Sequence, residues 1–283
     1  MPKTLLRGLD LIEIVGLHGP LTVTEIARQT GMDLSIVSRT VTACEHDGWL
    51  IRTGGKILVG PRCALLGLTS PASDAIRRAE PLVRAIAAAT GVTASASALV
   101  GREVMVLAAA AGGPTPIPDA GVPSRVPVHL MADGRAIAAQ LDASTLSGVL
   151  PPEPYPASAQ LMATRGVGPA LPGFVASLPD ANDHKNRGPL TRAEMDAQIA
   201  EIRSEGFSRD TGQIHPKLYC VARPWPAAGL PSAIACIGGR DEILERRATI
   251  EACLTAATDP GATAQDVIRA AATAIPGHPQ PGP

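Results

Sequence analysis

Apolar residues recur at helical spacing through the first fifty residues, then shift to strand-like alternation. Residues 4–18 carry Leu5, Leu9, Ile12 and Leu17 at near-helical intervals, and Gly19-Pro20 stops that helix. Residues 22–50 hold two more short amphipathic patterns around a break at Thr30-Gly31-Met32. Thr22 is a candidate N-cap with Glu25 three residues on, the spacing of a capping box. Val23, Ile26 and Ala27 fall on one face of that helix. Asp33 caps the next one, whose buried stripe is Val37, Val41 and Cys44. Leu34, Ser35, Ser38, Arg39 and Thr42 lie beside the stripe and are mostly small and polar. One face of such a helix packs while the other lies against a phosphate-lined groove. Two short helices around a glycine-containing break predict a helix-turn-helix.

A hairpin follows. Gly48-Trp49-Leu50-Ile51 leads into a strand, Gly54-Gly55 is a turn signal, and Lys56-Ile57-Leu58-Val59 returns. Three helices and a hairpin predict a winged helix-turn-helix. Arg52 and Lys56 flank the tip, where a wing meets a DNA backbone; two solvated surface charges are the plainer reading of the pair. Trp49 is expected to pack behind the wing.

The remaining pattern predicts a mixed domain. Residues 63–68 form an apolar linker helix, broken at Thr69-Ser70-Pro71. A helix from about residue 72 to Thr90 ends at Gly91, a natural C′ residue, and Pro81 inside it marks a kink or a restart. Strands are predicted over 93–100 and 103–107 around Gly101-Arg102, with a further one near 124–128. Residues 132–139 form a helix with Gly134 in its first turn, where a ligand or another backbone can come close. Prolines punctuate residues 142–189, which reads as weakly structured connection with short helical pieces at most. Residues 180–187 are expected as a surface loop with a solvated His184. Thr191-x-x-Glu194 is a second capping box, opening a helix with Met195, Ile199 and Ile202 that ends at Gly206. Strands over 218–222 and 232–237, a turn at Gly238-Gly239, and helices over 243–254 and 264–275 complete the order, before a tail expected to be disordered. Trp225 is expected to pack within this second domain.

Composition narrows the classes. A hydrophobic content of 45% argues against global disorder, and 2% aromatic residues means that cores are built from Ala, Val, Leu and Ile. Net charge is −1, and residues 1–70 hold seven Lys and Arg against six Asp and Glu. Bulk charge therefore does not point to nucleic acid; the placement of a few basic residues does. Five cysteines, with no CxxC pair and no close Cys/His grouping, argue against a zinc site or a disulfide scaffold. Buried thiols in a reducing cytoplasm fit instead. There is no signal-like start and no run of 18 apolar residues, so the expectation is a cytoplasmic protein without a membrane partner. A cysteine-dependent enzyme would use Cys220 or Cys236 with His215 or His129 as base. No third orienting group and no nucleophile elbow is in sight. The expectation is a non-enzyme with no catalytic residue, metal or cofactor, and with His129 as a structural hydrogen bonder.

Several segments, in order, resemble the IclR family of bacterial transcriptional regulators over roughly residues 4–275. They are Gly31-Met32 through Arg39 to Gly48-Trp49-Leu50, then Leu58-x-Gly60-Pro61; Pro127-x-His129 with Ala132-x-Gly134-Arg135-Ala136; Ile202-Arg203-x-Glu205-Gly206-Phe207-x-Arg209-Asp210; and Cys220-Val221-Ala222-x-Pro224 followed by Ala233 to Gly239. The resemblance implies an α+β chain. A winged helix-turn-helix over 1–62 is joined by a linker helix over 63–72 to a GAF-like effector-binding and oligomerisation domain over 73–276, with a tail over 277–283. It implies double-stranded DNA as partner, at a pseudo-palindromic operator, a small-molecule effector, and a homodimer or homotetramer. DNA contacts would fall on Thr22, Thr24, Leu34, Ser35, Ser38, Arg39, Thr42, Arg52 and Lys56, although Arg39 could instead pair with Glu45 or Asp47 on the surface. Effector contacts would fall on Met131, Ala132, Asp133, Asp210, Cys220, Cys236 and Gly238. Arg135 stands where the family usually has Lys, Cys236 and Gly238 replace serines, and Asp133 replaces a small residue. Extra carboxylates and fewer hydroxyls disfavour an anionic ligand. A neutral, amine-bearing or larger ligand is expected, or else a degenerate pocket under the control of a protein partner.

Overall fold

The structure is a computed structural model that describes residues 3–113, 126–155, 191–213, 218–225, 227 and 229–274. It divides into two units, Met1–Ser73 and Asp74–Pro283. The predicted loop over 180–187 with His184, the base candidate His215 and the tail over 277–283 lie outside the described residues.

In the first unit, α1 (Lys3–His18) packs through Leu11 and Val15, one turn apart, not through the predicted Leu5 and Leu9, which are exposed. Leu5, Leu6 and Leu9, in the first half of α1, stay exposed among the described residues. Helix α2 (Val23–Thr30) has the predicted capping box: the Thr22 N–H and hydroxyl donate to Glu25 Oε2 at 2.7 and 2.8 Å, and the Glu25 N–H donates back to Thr22 Oγ1 at 3.2 Å. Gly31, at φ +65°, turns the chain. Asp33 caps α3 (Leu34–His46) by accepting the Ser35 N–H at 2.8 Å. Ile26, Val37 and Val41 are fully buried and share one core with Leu50 and Ile57 of the hairpin. The strands β1 (Leu50–Thr53) and β2 (Lys56–Val59) pair antiparallel across Gly54-Gly55, both at positive φ, as a tight hairpin turn requires. Helix α4 (Pro61–Leu68) opens on Pro at its first turn, where a missing N–H costs nothing.

The second unit is built on one antiparallel six-stranded sheet of order β5-β4-β3-β8-β7-β6. The strands are β3 (Thr93–Val100), β4 (Glu103–Ala110), β5 (Val126–Pro127), β6 (Ser208–Thr211), β7 (Leu218–Pro224) and β8 (Ser232–Gly239). Alternation along each strand feeds two cores. One face, with Ala94, Ala96, Val221, Ile234 and Cys236, packs on residues of α5 (Pro71–Thr90), α9 (Arg240–Glu245), α10 (Arg247–Thr258) and α11 (Ala264–Ala274), with Trp225 buried among them. The other face, with Cys220, Ala222, Ala233 and Ala235, packs on α6 (Ala132–Ala138), α7 (Ala143–Val149) and α8 (Arg192–Glu205). Alanine at so many sheet positions lets the helices approach closely, which suits a chain nearly devoid of aromatic residues.

The pattern missed some elements. Strand β6 was not predicted, because Ser-Arg-Asp-Thr has no apolar residue to alternate. Helix α7, by contrast, is one of the short helical pieces allowed after residue 142, and Asp142 caps it by accepting the Thr145 N–H at 2.9 Å. Strand β4 runs on to Ala110, and the helix expected over 243–254 is two helices that break at Arg246. Pro81 lies inside a continuous α5. Helix α8 carries its predicted capping box, its buried Met195, Ile199 and Ile202, and Gly206 in the left-handed conformation at its end.

Candidate DNA-binding face and effector site

On α3, burial of Val37 and Val41 turns Leu34, Ser35, Ser38, Arg39 and Thr42 outward, and all five are exposed. The small polar ones are tied only to their own helix. The Ser35 hydroxyl donates to Asp33 Oδ1 at 2.6 Å and the Thr42 hydroxyl to the Ser38 carbonyl at 3.0 Å. The Ser35 hydroxyl and N–H hold the Asp33 carboxyl below its ordinary value. Arg39 donates Nε to the Ser35 carbonyl at 3.2 Å. Among the described residues it pairs with neither Glu45 nor Asp47. Glu45 instead takes Arg52 in a two-pronged pair, 3.0 Å at each contact, and Asp47 meets His46 at 2.9 Å. The wing arginine is therefore folded back toward α3, while Lys56 stands exposed across from Thr53. Thr24 is exposed, but the Thr22 hydroxyl and N–H are both spent on Glu25. The Cys63 thiol and Trp49 lie at the base of the hairpin, with the Arg62 guanidinium 5.2 Å from the indole centroid.

The second candidate site lies between α6 and the sheet. Strand register places Thr93, Ile237, Cys220 and Asp210 in one row across four strands, and Ser95, Ala235, Ala222 and Ser208 in the next. All eight share the face that α6 covers in part. Ser95 and Ile237, in the two central strands, are only half-buried. The first turn of α6 comes down on Val128, where Gly134 is required: a Cβ there would stand 2.3 Å from the Val128 carbonyl oxygen. Asp133, 2% exposed, accepts the Ser97 hydroxyl at 2.6 Å and the Gly134 N–H at 2.9 Å. Burial raises its carboxyl above the ordinary range, against the pull of Ser97. Arg135, 1% exposed, donates to the carbonyls of His129, Leu130 and Arg209 at 3.4, 3.2 and 3.1 Å. Burial lowers its proton affinity and the charge of Asp210 opposes that. Asp210 Oδ1 accepts the N–H groups of Gly212 and Gln213 at 3.0 and 2.6 Å. The His129 ring is buried against Tyr155, 5.2 Å between centroids.

Five of the seven expected effector positions gather here. Asp133, Asp210 and Cys220 face the site, and Met131 and Ala132 lead into α6. The other two do not. Cys236 packs in the opposite core, and a side chain at Gly238 would meet Glu242, Val92 and Ile243 there. The period of two is the reason: β8 turns Ala235 and Ile237, not Cys236 and Gly238, toward α6. Thr93, Ser95 and Ser97 were missed, although their alternation with alanine was visible in the sequence. The thiols are not poised for nucleophilic work. Burial, with Asp133 and Asp210 beside it, pushes Cys220 well above its ordinary value, burial pushes Cys236 up as well, and burial lifts Cys253 to about 11. Among the described residues no group of His, Cys, Asp and Glu forms a metal cluster, and no helix is long and apolar enough to cross a membrane.

Residues 4–54 match the family model of the IclR helix-turn-helix domain. No curated protein matches the chain. Solved structures match along nearly its whole length. An IclR homolog from Microbacterium hydrocarbonoxydans, complexed with 4-hydroxybenzoate, is 17% identical with a TM-score of 0.64, covering 95% of this chain and 99% of its own. An IclR transcriptional regulator from Alicyclobacillus acidocaldarius is 17% identical at a TM-score of 0.58, covering 96% and 99%. An IclR family transcriptional regulator from Brucella abortus is 17% identical at 0.55, covering 98% and 94%. Residues 4–54 are thus an IclR-type helix-turn-helix domain, and the chain as a whole shares the fold of the solved IclR transcriptional regulators.

Proposed function

We propose that this regulator binds an operator through α3 and responds to a small molecule held between α6 and the sheet. The observation that carries the first half is the outward face of α3. Ser35, Ser38 and Thr42 surround Arg39, whose guanidinium is engaged, among the described residues, only by a carbonyl of its own helix. A recognition helix laid in the major groove offers Arg39 to a guanine edge or a phosphate, and the hydroxyls to bases or phosphates. Leu34 offers an apolar contact at the start of the helix, and Thr24 an N-terminal phosphate contact on α2. Lys56 is the ready wing contact, and Arg52 becomes one if it leaves Glu45.

The second half rests on the half-covered face of the sheet in the second unit, and on analogy with the 4-hydroxybenzoate complex of the Microbacterium homolog. The reading is non-enzymatic and cytoplasmic, since it needs access to DNA and uses no reacting group. A homodimer or homotetramer fits a helix-turn-helix protein that reads a partly palindromic site. The test of the whole reading is selection of bound sequences from random DNA, followed by a gel shift on the selected site at physiological salt. A specific shift that Arg39→Ala weakens by about tenfold or more supports the reading. Binding unchanged by Arg39→Ala removes α3 as the reading helix.

A further inference from the structure

Resting on the effector reading of the α6 face, we propose that this site takes a ligand bearing a protonated amine, held at Asp133, in place of a carboxylate. Asp133 is a carboxylate inside the protein whose contacts are one hydroxyl and one amide. Among the described residues no cation touches it. The nearby guanidinium of Arg135 gives its hydrogen bonds to three backbone carbonyls. A buried carboxylate without a cation either keeps a proton or waits for a positive charge. An entering ammonium takes the proton's place and turns the Asp133 pair with Ser97 into a charge-assisted triad. A carboxylate ligand would face Asp133, with no free guanidinium beside it among the described residues.

An independent observation points to a ligand on the same surface. Thr93 is 1% exposed, and its hydroxyl has no hydrogen-bond partner among the described residues. Register puts it on the α6 face, beside half-buried Ile237, with half-buried Ser95 two residues on and Ser97 two further. Four residues of strand span about 13 Å. Along that line lie an orphan hydroxyl, an open hydroxyl and the hydroxyl that holds Asp133. Native proteins rarely leave a buried hydroxyl unpaired, and a ligand group that hydrogen-bonds Thr93 removes the penalty. The ligand class is a compact monoamine with a hydrogen-bonding group at its far end.

The probes are a matched pair, 4-hydroxybenzylamine and 4-hydroxybenzoate, titrated calorimetrically into the full-length protein at neutral pH with thermal unfolding alongside. The amine is expected to bind and raise the melting temperature, and the benzoate to do neither. Asp133→Asn keeps the shape and the Ser97 contact, and should weaken the amine by about tenfold or more. Thr93→Val should raise the melting temperature of the free protein and lower the amine's affinity, a combination that a purely structural role would not give. Tighter binding of the benzoate overturns the proposal, as does amine binding that ignores Asp133→Asn. Silence from the pair and from a panel of aliphatic and aromatic monoamines at millimolar concentration overturns it too. Ser95→Phe, which fills the open floor, separates the two levels. A probe that binds the wild type but not Ser95→Phe leaves the effector site standing whatever its charge. Binding that survives Ser95→Phe unchanged overturns the site itself.

Discussion

Two residues of the second unit show how closely the α6 site is specified. Gly134 sits where any Cβ would stand 2.3 Å from the carbonyl oxygen of Val128 and 2.9 Å from its carbon, both backbone atoms that cannot swing aside. Gly134→Ala should therefore cost about 2–4 kcal/mol in urea unfolding by displacing the first turn of α6; a loss within half a kcal/mol would mean that the turn yields easily. Asp133 makes a prediction in pH. Burial lifts its folded value above the ordinary 3.8, so the native state keeps a proton that the unfolded chain has released. The stability this group contributes is complete below the unfolded value and is lost as pH rises through the folded one. Asn at 133 does not titrate. The stability of wild type relative to Asp133→Asn should therefore fall as pH rises above about 3.8, and a difference that stays flat with pH, measured by urea unfolding, would contradict the buried-acid picture.

At the scale of elements, the wing holds a cation in reserve. Arg52 is locked to Glu45 by both prongs of its guanidinium, and the pair joins the hairpin to the end of α3. The pair is partly exposed, so removing it costs the fold little. Glu45→Gln should free Arg52 for the DNA backbone, raise operator affinity a few-fold at low salt and steepen the dependence on salt. A gel-shift series across salt concentrations that leaves the slope unchanged would place the wing off the DNA. The elements themselves were legible wherever local chemistry sets the boundary. Thr22 with Glu25, Asp33, and Thr191 with Glu194 announce their helices because a cap is a contact within one turn, and Gly54-Gly55 announces its hairpin because few other residues accept positive φ at both positions. What failed depends on partners distant in sequence. Strand β6 exists because β7 pairs with it, not because Ser208 to Thr211 alternate. Cys236 and Gly238 were assigned to the wrong face because motif spacing does not fix which side of a strand looks at α6; the register with β3 and β7 does.

At the scale of the whole molecule, the first half of α1 carries an exposed apolar face. Its sequence promised a packing stripe at Leu5 and Leu9, yet these are 61% and 53% exposed, and Leu6 beside them is also exposed. Leu5, Leu6 and Leu9 together make an exposed apolar face at one end of the helix, the kind of patch that another surface can bury. If the proposed operator is two-fold, a second copy of the chain is the partner to test, and each leucine transferred from water would contribute about 1.5–3 kcal/mol. Such a contact would also set the spacing between two α3 helices, because the symmetry of the protein has to match that of the operator. The double change Leu5→Glu and Leu9→Glu leaves the core residues Leu11 and Val15 untouched and should not unfold the domain. It should shift sedimentation toward smaller species and weaken binding to a full palindrome far more than to a single half-site, since only the full site gains from linked helices. An unchanged ratio of full-site to half-site affinity would mean that α1 does not join two reading heads, and the coupling between half-sites would then have to come from elsewhere in the chain.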